Sequence, residues 1–194
     1  RRFYEEELRV LLDEQAPESS EDRSGDAAVD LQPVGSPLVY GHRVFIGAIE
    51  PKARNVLTNC FLLCFDLETG DLLWERFLGG GRPVAYVRGG SSLERSVPST
   101  DGRRVYVESP VGTVVAIDLG TTEVAWARRL PRPTAGRGAQ VAPLSWPTGV
   151  ADAPTIVGGR VLVSDVAGAN GPALRCLDAG TGDSLWLEER LRQP

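Results

Sequence analysis

Methionine is absent from this chain of 194 residues, and histidine and lysine occur once each, as His42 and Lys52. A chain with no initiator reads as a segment of a longer protein. One histidine and three cysteines, with no CxxC pair among them, make no zinc-type cluster. His42 is also the only base open to a Ser-His-Asp arrangement. It lies in a Gly41-His42-Arg43 turn, where a buried, oriented base is not expected. The formal net charge is -5 and there is no basic stripe, which argues against nucleic acid as a partner. The pairs Arg103-Arg104 and Arg128-Arg129 read as solvated charges at strand ends. No apolar run approaches the ~18–20 residues that span a bilayer. No apolar core of about 7–15 residues follows Arg1-Arg2-Phe3-Tyr4, so no secretory signal is legible. Cys60, Cys64 and Cys176 read as free thiols packed as small hydrophobes, and they leave the compartment open.

What the chain does have is strands and turns. Hydrophobic residues make up 42%, enough for a real core, and Gly 22 with Pro 14 divides them into short runs. These runs repeat. Cys64-Phe65-Asp66-Leu67-Glu68-Thr69-Gly70 leads to Trp74; Ala116-Ile117-Asp118-Leu119-Gly120-Thr121-Thr122 leads to Trp126; Cys176-Leu177-Asp178-Ala179-Gly180-Thr181-Gly182 leads to Trp186. Each copy has Asp, then Thr three residues later, then Trp eight after the Asp. The tryptophans are 52 and 60 residues apart, near the ~40–50 residues of a four-stranded propeller blade with its connector and too long for most solenoid repeats.

A second repeat lies upstream. Pro37, Pro98 and Pro154 precede Gly41, Gly102 and Gly158, and the runs Arg43-Val44-Phe45-Ile46, Arg104-Val105-Tyr106-Val107 and Arg160-Val161-Leu162-Val163 follow. β-Branched and aromatic residues after a Gly turn predict strands. One repeat thus predicts four short strands, with the Asp-x-x-Thr-Gly turn before the last. Gly70 and Gly182 suit the left-handed position that closes such a turn, and the Asp and Thr side chains can bond its backbone. Trp offers a flat face to bury against the adjoining blade. Thr122 stands where the other copies have Gly, so that turn either changes shape or holds strain.

The motif Asp66, Thr69, Gly70, Trp74; Asp118, Thr121, Trp126; Asp178, Thr181, Gly182, Trp186 resembles the repeat of the quinoprotein (pyrroloquinoline quinone) dehydrogenase propellers. That pattern is Ala-x-Asp-x-x-Thr-Gly-x-x-x-Trp, and the small residues Cys64, Ala116 and Cys176 stand at its Ala. The repeat is also similar to that of the non-catalytic outer-membrane assembly lipoproteins. The resemblance covers roughly residues 31–190. It implies an all-β fold: a quinoprotein-like β-propeller arc of about three four-stranded blades, near residues 31–78, 79–130 and 131–190. The motif is structural, so it implies little about activity. The dehydrogenases hold quinone and calcium with acidic and amide ligands, and use a catalytic Asp and often a disulfide of adjacent cysteines. No residue here matches those, so no catalytic, cofactor-binding or metal residue is assigned.

Outside the repeats, residues 3–15 predict an amphipathic helix, with Phe3, Tyr4, Leu8, Leu11 and Leu12 on one face. Residues 16–30 read as an acidic linker, which divides the chain into 1–30 and the blades of 31–194. Val44 to Asp66 spans 22 residues, against 13 and 17 in the later copies, and predicts a protruding loop near Glu50–Asn55. Gly79-Gly80-Gly81-Arg82-Pro83 and Arg88–Ser92 read as a flexible connector, lacking the Lys-Ser/Thr ending of a P-loop. Pro131–Ala151, with Trp146, reads as a second connector.

Three blades do not close a ring, since propellers have ~4–8. The remaining blades are expected from the rest of a parent chain, with a protein partner beyond them. The expected function is a non-catalytic scaffold for protein interaction, with a bacterial envelope location, periplasmic, taken from the resemblance. The alternative is a propeller segment of a pyrroloquinoline-quinone-dependent alcohol or sugar dehydrogenase, with calcium. A sensor domain attached to a signalling or proteolytic module is a third reading.

Overall fold

The computed structural model describes residues 31–52, 57–81, 96–130, 153–168 and 171–188. The expected helix over 3–15, the linker 16–30, the Arg88–Ser92 run and Trp146 lie outside them. The strands are β1 (Gln32–Tyr40), β2 (Arg43–Lys52), β3 (Leu57–Asp66), β4 (Leu72–Gly81), β5 (Ser99–Thr100), β6 (Arg104–Glu108), β7 (Thr113–Asp118), β8 (Val124–Arg129), β9 (Thr155–Val157), β10 (Arg160–Gly168), β11 (Gly171–Asp178) and β12 (Ser184–Glu188). They form three four-stranded sheets, β1–β4, β5–β8 and β9–β12, each hydrogen-bonded in chain order. All pairs are antiparallel, so each sheet is an up-and-down meander. This is a propeller arc of three blades.

Alternation along the strands sends successive side chains to opposite faces. The core therefore lies between blades. One cluster joins Phe45, Ile49, Cys60, Leu62, Cys64 and Leu78 of the first blade to Val105, Val107, Val111, Val115 and Ile117 of the second. Another joins Tyr106, Val114, Ala116, Trp126 and Leu130 of the second to Val161, Val163, Leu177 and Ala179 of the third. A third, Ala48, Phe61 and Leu63, lies on the other face of the first sheet, where Phe61 and Phe77 meet edge-on with ring centroids 5.6 Å apart.

Each tryptophan pairs across the sheet with the small residue of its repeat: Trp74 with Cys64, Trp126 with Ala116, Trp186 with Cys176. The register shifts immediately after that pair in all three blades. A bulge at this point re-aims the strand and lets the chain enter the turn. A small residue opposite the indole leaves room for the ring.

The expected protruding loop at the first-blade insertion is corrected. β2 and β3 run ten residues each and stay paired as far as Lys52↔Leu57, so Glu50, Pro51 and Lys52 extend a hairpin, while Ala53, Arg54 and Asn55 lie outside the described residues. The Gly79–Gly81 segment is likewise the end of β4, paired to Thr58, Asn59 and Cys60, and not part of a connector. The physical reason is the same for both. An added stretch that can continue the ladder satisfies its own backbone groups, whereas an open loop must rely on water.

Leu62 is fully buried between the first two blades. Truncation to Ala leaves a cavity against the second blade and lowers stability by about 2–5 kcal/mol, measurable by denaturant unfolding.

Candidate functional site

The residues that carry the repeat come together at the joints between blades. Within each turn the Asp carboxylate accepts two backbone N–H groups: Glu68 and Thr69 on Asp66, Gly120 and Thr121 on Asp118, Gly180 and Thr181 on Asp178, at 2.8–3.1 Å. The Thr hydroxyl accepts the N–H two residues on, at Asp71, Glu123 and Asp183. The residue four after the Asp closes the turn by donating its N–H to the Asp carbonyl, at 2.8–3.0 Å in all three copies.

Closure needs a positive φ at that residue. It is 75° at Gly70, 72° at Gly182 and 62° at Thr122. The second turn therefore keeps the shape of the others, and Thr122 holds the strain. No other non-glycine residue has a positive φ among those described.

Donors from the preceding blade then take the outward carbonyls of the second and third turns. At the joint of second and third blades, Trp126 Nε1 donates to the Ala179 carbonyl at 2.9 Å and Arg104 Nη1 donates to it at 2.6 Å. Arg128 Nε donates to the Gly182 carbonyl at 3.0 Å, and its Nη2 reaches the Thr181 carbonyl and the Asp183 carboxylate. Gly182 is required here by close approach, since a Cβ on it would stand 2.6 Å from the Trp126 ring.

The joint of first and second blades has the same plan with one change. Arg43 Nη1 donates to the Leu119 carbonyl at 3.1 Å, and Arg76 Nε donates to the Thr122 carbonyl at 2.7 Å. Arg76 Nη2 also binds the Thr122 hydroxyl at 3.0 Å, and its guanidinium lies 5.6 Å from the Trp74 ring centroid. Trp74 Nε1, however, is buried with no partner. Thr122 carries the Cβ that Gly182 lacks, and a Cβ at Gly182 would collide with the Trp126 ring, so the Trp74 ring has no equivalent seat on this turn. The bulk of Phe45 or Tyr106 beside each indole, with ring centroids 5.8 Å and 6.0 Å apart, completes the packing.

The reading of Arg103-Arg104 and Arg128-Arg129 as solvated strand ends is half corrected. Arg104 and Arg128 bind the next blade; Arg103, 3.8 Å from Asp118, and Arg129 remain at the surface. Arg128 and Arg129 are adjacent on β8 and face opposite ways, while Arg103 stands in the turn before β6, so only one of each pair reaches across. The signal was present in the sequence: an Arg two residues after Gly41 and Gly102, and an Arg two residues after Trp74 and Trp126.

The titratable groups follow this geometry. Asp66, Asp118 and Asp178 are held below the usual carboxylate range, first by the N–H of Thr69, Thr121 and Thr181 respectively. Burial works against ionisation of Asp101, but N–H donors from Arg104 and Arg103 and the Tyr106 hydroxyl still hold it low. Burial, with Asp101 behind it, pushes the Tyr106 phenol up to about 12. Burial also pushes the thiols up, to about 12 at Cys60 and about 11 at Cys64, and the three cysteines are free. His42 is exposed beside Glu68, 3.6 Å away. Among the described residues, no group of three or more His, Cys, Asp or Glu is placed to hold a metal ion, and no helix is long and apolar enough to cross a membrane.

The profile of the family described as outer membrane protein assembly factor BamB, a quinoprotein-like propeller repeat family, matches residues 61–194. The chain belongs to this family. The BamB of Moraxella catarrhalis has a similar structure, with a TM-score of 0.52 at 16% identity, over 86% of this chain and 42% of that one. The quinohemoprotein alcohol dehydrogenase ADHIIG of Pseudomonas putida HK5 gives 0.50 at 18%, over 84% and 21%. At these identities the likeness shows the fold. Tetrathionate hydrolase of Acidithiobacillus ferrooxidans is 34% identical over 116 residues, which is 59% of this chain and 21% of that protein. The chain thus spans less than half the length of each of these three proteins.

Two outcomes follow from the joint in this BamB-family chain. Thr122→Gly releases about 1–2 kcal/mol of left-handed strain and frees the Trp74 ring to seat. Glycine's unfolded freedom, about 0.5–1 kcal/mol, and the lost Arg76 contact offset part of this. Chemical denaturation is expected to show a net gain of about 0.5–1 kcal/mol. The turn aspartates have depressed native pKa values. Their contribution is therefore complete above the unfolded value, about 3.9, and is lost as pH falls through the native values. Replacing Asp66, Asp118 and Asp178 together by Asn is expected to flatten that acid limb in thermal melts from pH 7 to 2.

Proposed function

We propose that this chain is part of a non-catalytic propeller that scaffolds protein interaction in a bacterial envelope, in the periplasm. The observation that carries this is where the repeat's chemistry is spent. Arg43, Arg76, Arg104, Arg128 and Trp126 all bind a neighbouring blade, and the three turn aspartates bind their own turns. Such side chains build a rigid wall, which is what a docking scaffold needs, since loops and faces held on a rigid frame bind with little ordering cost. Membership of a family described by outer membrane protein assembly supports the envelope location.

The test is calorimetric titration of the complete protein with pyrroloquinoline quinone and calcium. The expected result is no binding at concentrations that saturate a known quinoprotein. Tight, stoichiometric, calcium-dependent binding overturns the scaffold reading in favour of a quinone-dependent alcohol or sugar dehydrogenase.

A further inference from the structure

We infer that residues 3–15 form a helix that lies across the outer face of the first sheet, so that the occupant of this face is a segment of the chain itself. The inference holds whether the propeller is a scaffold or part of a dehydrogenase.

The first sheet is apolar on both faces. One face meets the second blade. On the other, β2 and β3 set Ala48 opposite Phe61 and Ile46 opposite Leu63, and β4 sets Phe77 opposite Phe61. Ala48, Phe61 and Leu63 are 0%, 1% and 8% exposed. Their apolar neighbours among the described residues are Leu31, Ile46, Phe65 and Phe77, and all but Leu31 belong to the same sheet. A sheet face with no layer over it does not seal a phenylalanine to this degree. The burial lies within the single chain, so the cover is another part of it.

The sealed strip is narrow. On one side it ends at Glu50 and Asn59, where Asn59 Nδ2 donates to the Glu50 carboxylate at 2.9 Å. On the other it ends before the paired row of Val39, Val44 and Phe65, where Val39 is 54% exposed. Val44 and Glu50 are six residues apart on β2, which is about 20 Å of strand. An α-helix with its side chains is about 10–12 Å across. The strip has room for one helix.

Leu31 decides which segment fits. It stands immediately before β1 and packs against the sealed cluster, so residues 1–30 join the sheet on this face. Within them Tyr4, Leu8, Leu11 and Leu12 stand at i, i+4, i+7 and i+8, the apolar stripe of an amphipathic helix. A helix over residues 3–15 is about 20 Å long, enough to cross four strands that together span about 15 Å. The linker of residues 16–30 has a mean reach of about 20 Å, which returns the helix to the strip beside Leu31. Tethering holds the helix at an effective concentration of about millimolar, which favours it over a second copy.

The experiment reads the face directly in the complete protein. Leu63→Cys places a thiol in the sealed strip, while the native Cys60 and Cys64, on the opposite face of the same strand, report any loosening of the whole blade. Labelling by a maleimide is located by tandem mass spectrometry, with thermal unfolding measured alongside. Leu8→Asp combined with Leu11→Asp is expected to speed labelling at position 63 at least tenfold and to leave Cys60 and Cys64 protected. The same pair of substitutions is expected to lower Tm with Leu63 intact. Glu6→Gln, off the apolar stripe, is expected to change neither readout. Unchanged labelling at position 63 overturns the inference and makes a connector between blades the cover. Equal acceleration at all three thiols reports a loosened blade and overturns it. Protection at position 63 that falls on dilution makes the helix of a second copy the occupant, and overturns it too.

Discussion

The carbonyl groups at the outer edge of each Asp-x-x-Thr turn are the point on which the arc depends. A tight turn leaves backbone acceptors facing away from its own sheet, and a buried acceptor without a donor is expensive. Here the neighbouring blade supplies the donors. An arginine at the start of its second strand and an arginine near the end of its fourth reach the same turn from two sides. Charged donors make the stronger class of hydrogen bond, and the planar guanidinium fixes direction as well as distance. Apolar clusters between sheets supply the bulk of the attraction but do not select a register. The turn does.

This division of labour runs through each repeat. The Asp holds its own turn through two backbone N–H groups, and in the third turn the outward carbonyl of Ala179 faces the preceding blade. The bulge before the turn and the small residue opposite the Trp set the indole over it. Where the closing residue is glycine, the ring lies flat on the backbone and its N–H finds a carbonyl. Where it is Thr122, the ring is held off and the strain is met by a double contact from Arg76. Two joints in one chain thus solve the same problem with different balances of packing and hydrogen bonding.

The extended first hairpin shows the same economy. Its added residues continue the ladder to Lys52↔Leu57, and Asn59 Nδ2 donates to the Glu50 carboxylate across it at 2.9 Å. Much of this length is buried: Ala48, Ile49, Thr58 and Cys60 are all less than 5% exposed.

Much of this was legible in the sequence. Spacing alone identified the strands, the turns and the propeller, because Asp, Thr, Gly and Trp act locally or at a fixed reach. Thr122 stood out for the same reason: a residue at a left-handed position is judged by its own Cβ. The arginines were not legible as joints. Arg104 and Arg128 sit beside Arg103 and Arg129; a fixed offset from Gly or Trp, shared with Arg43 and Arg76, marks them, but it does not say what they bind. That depends on strand direction, register and the placement of a turn more than fifty residues away. The sequence by itself determined the repeat and the shape of the two glycine-closed turns, through short-range backbone chemistry; that the Thr122 turn keeps the same shape came from the structure. Only the tertiary structure decided which carbonyls the guanidinium groups reach, and that Trp74 goes without a partner while Trp126 has one. Those outcomes turn on how separate sheets approach one another, which no local stretch of sequence encodes.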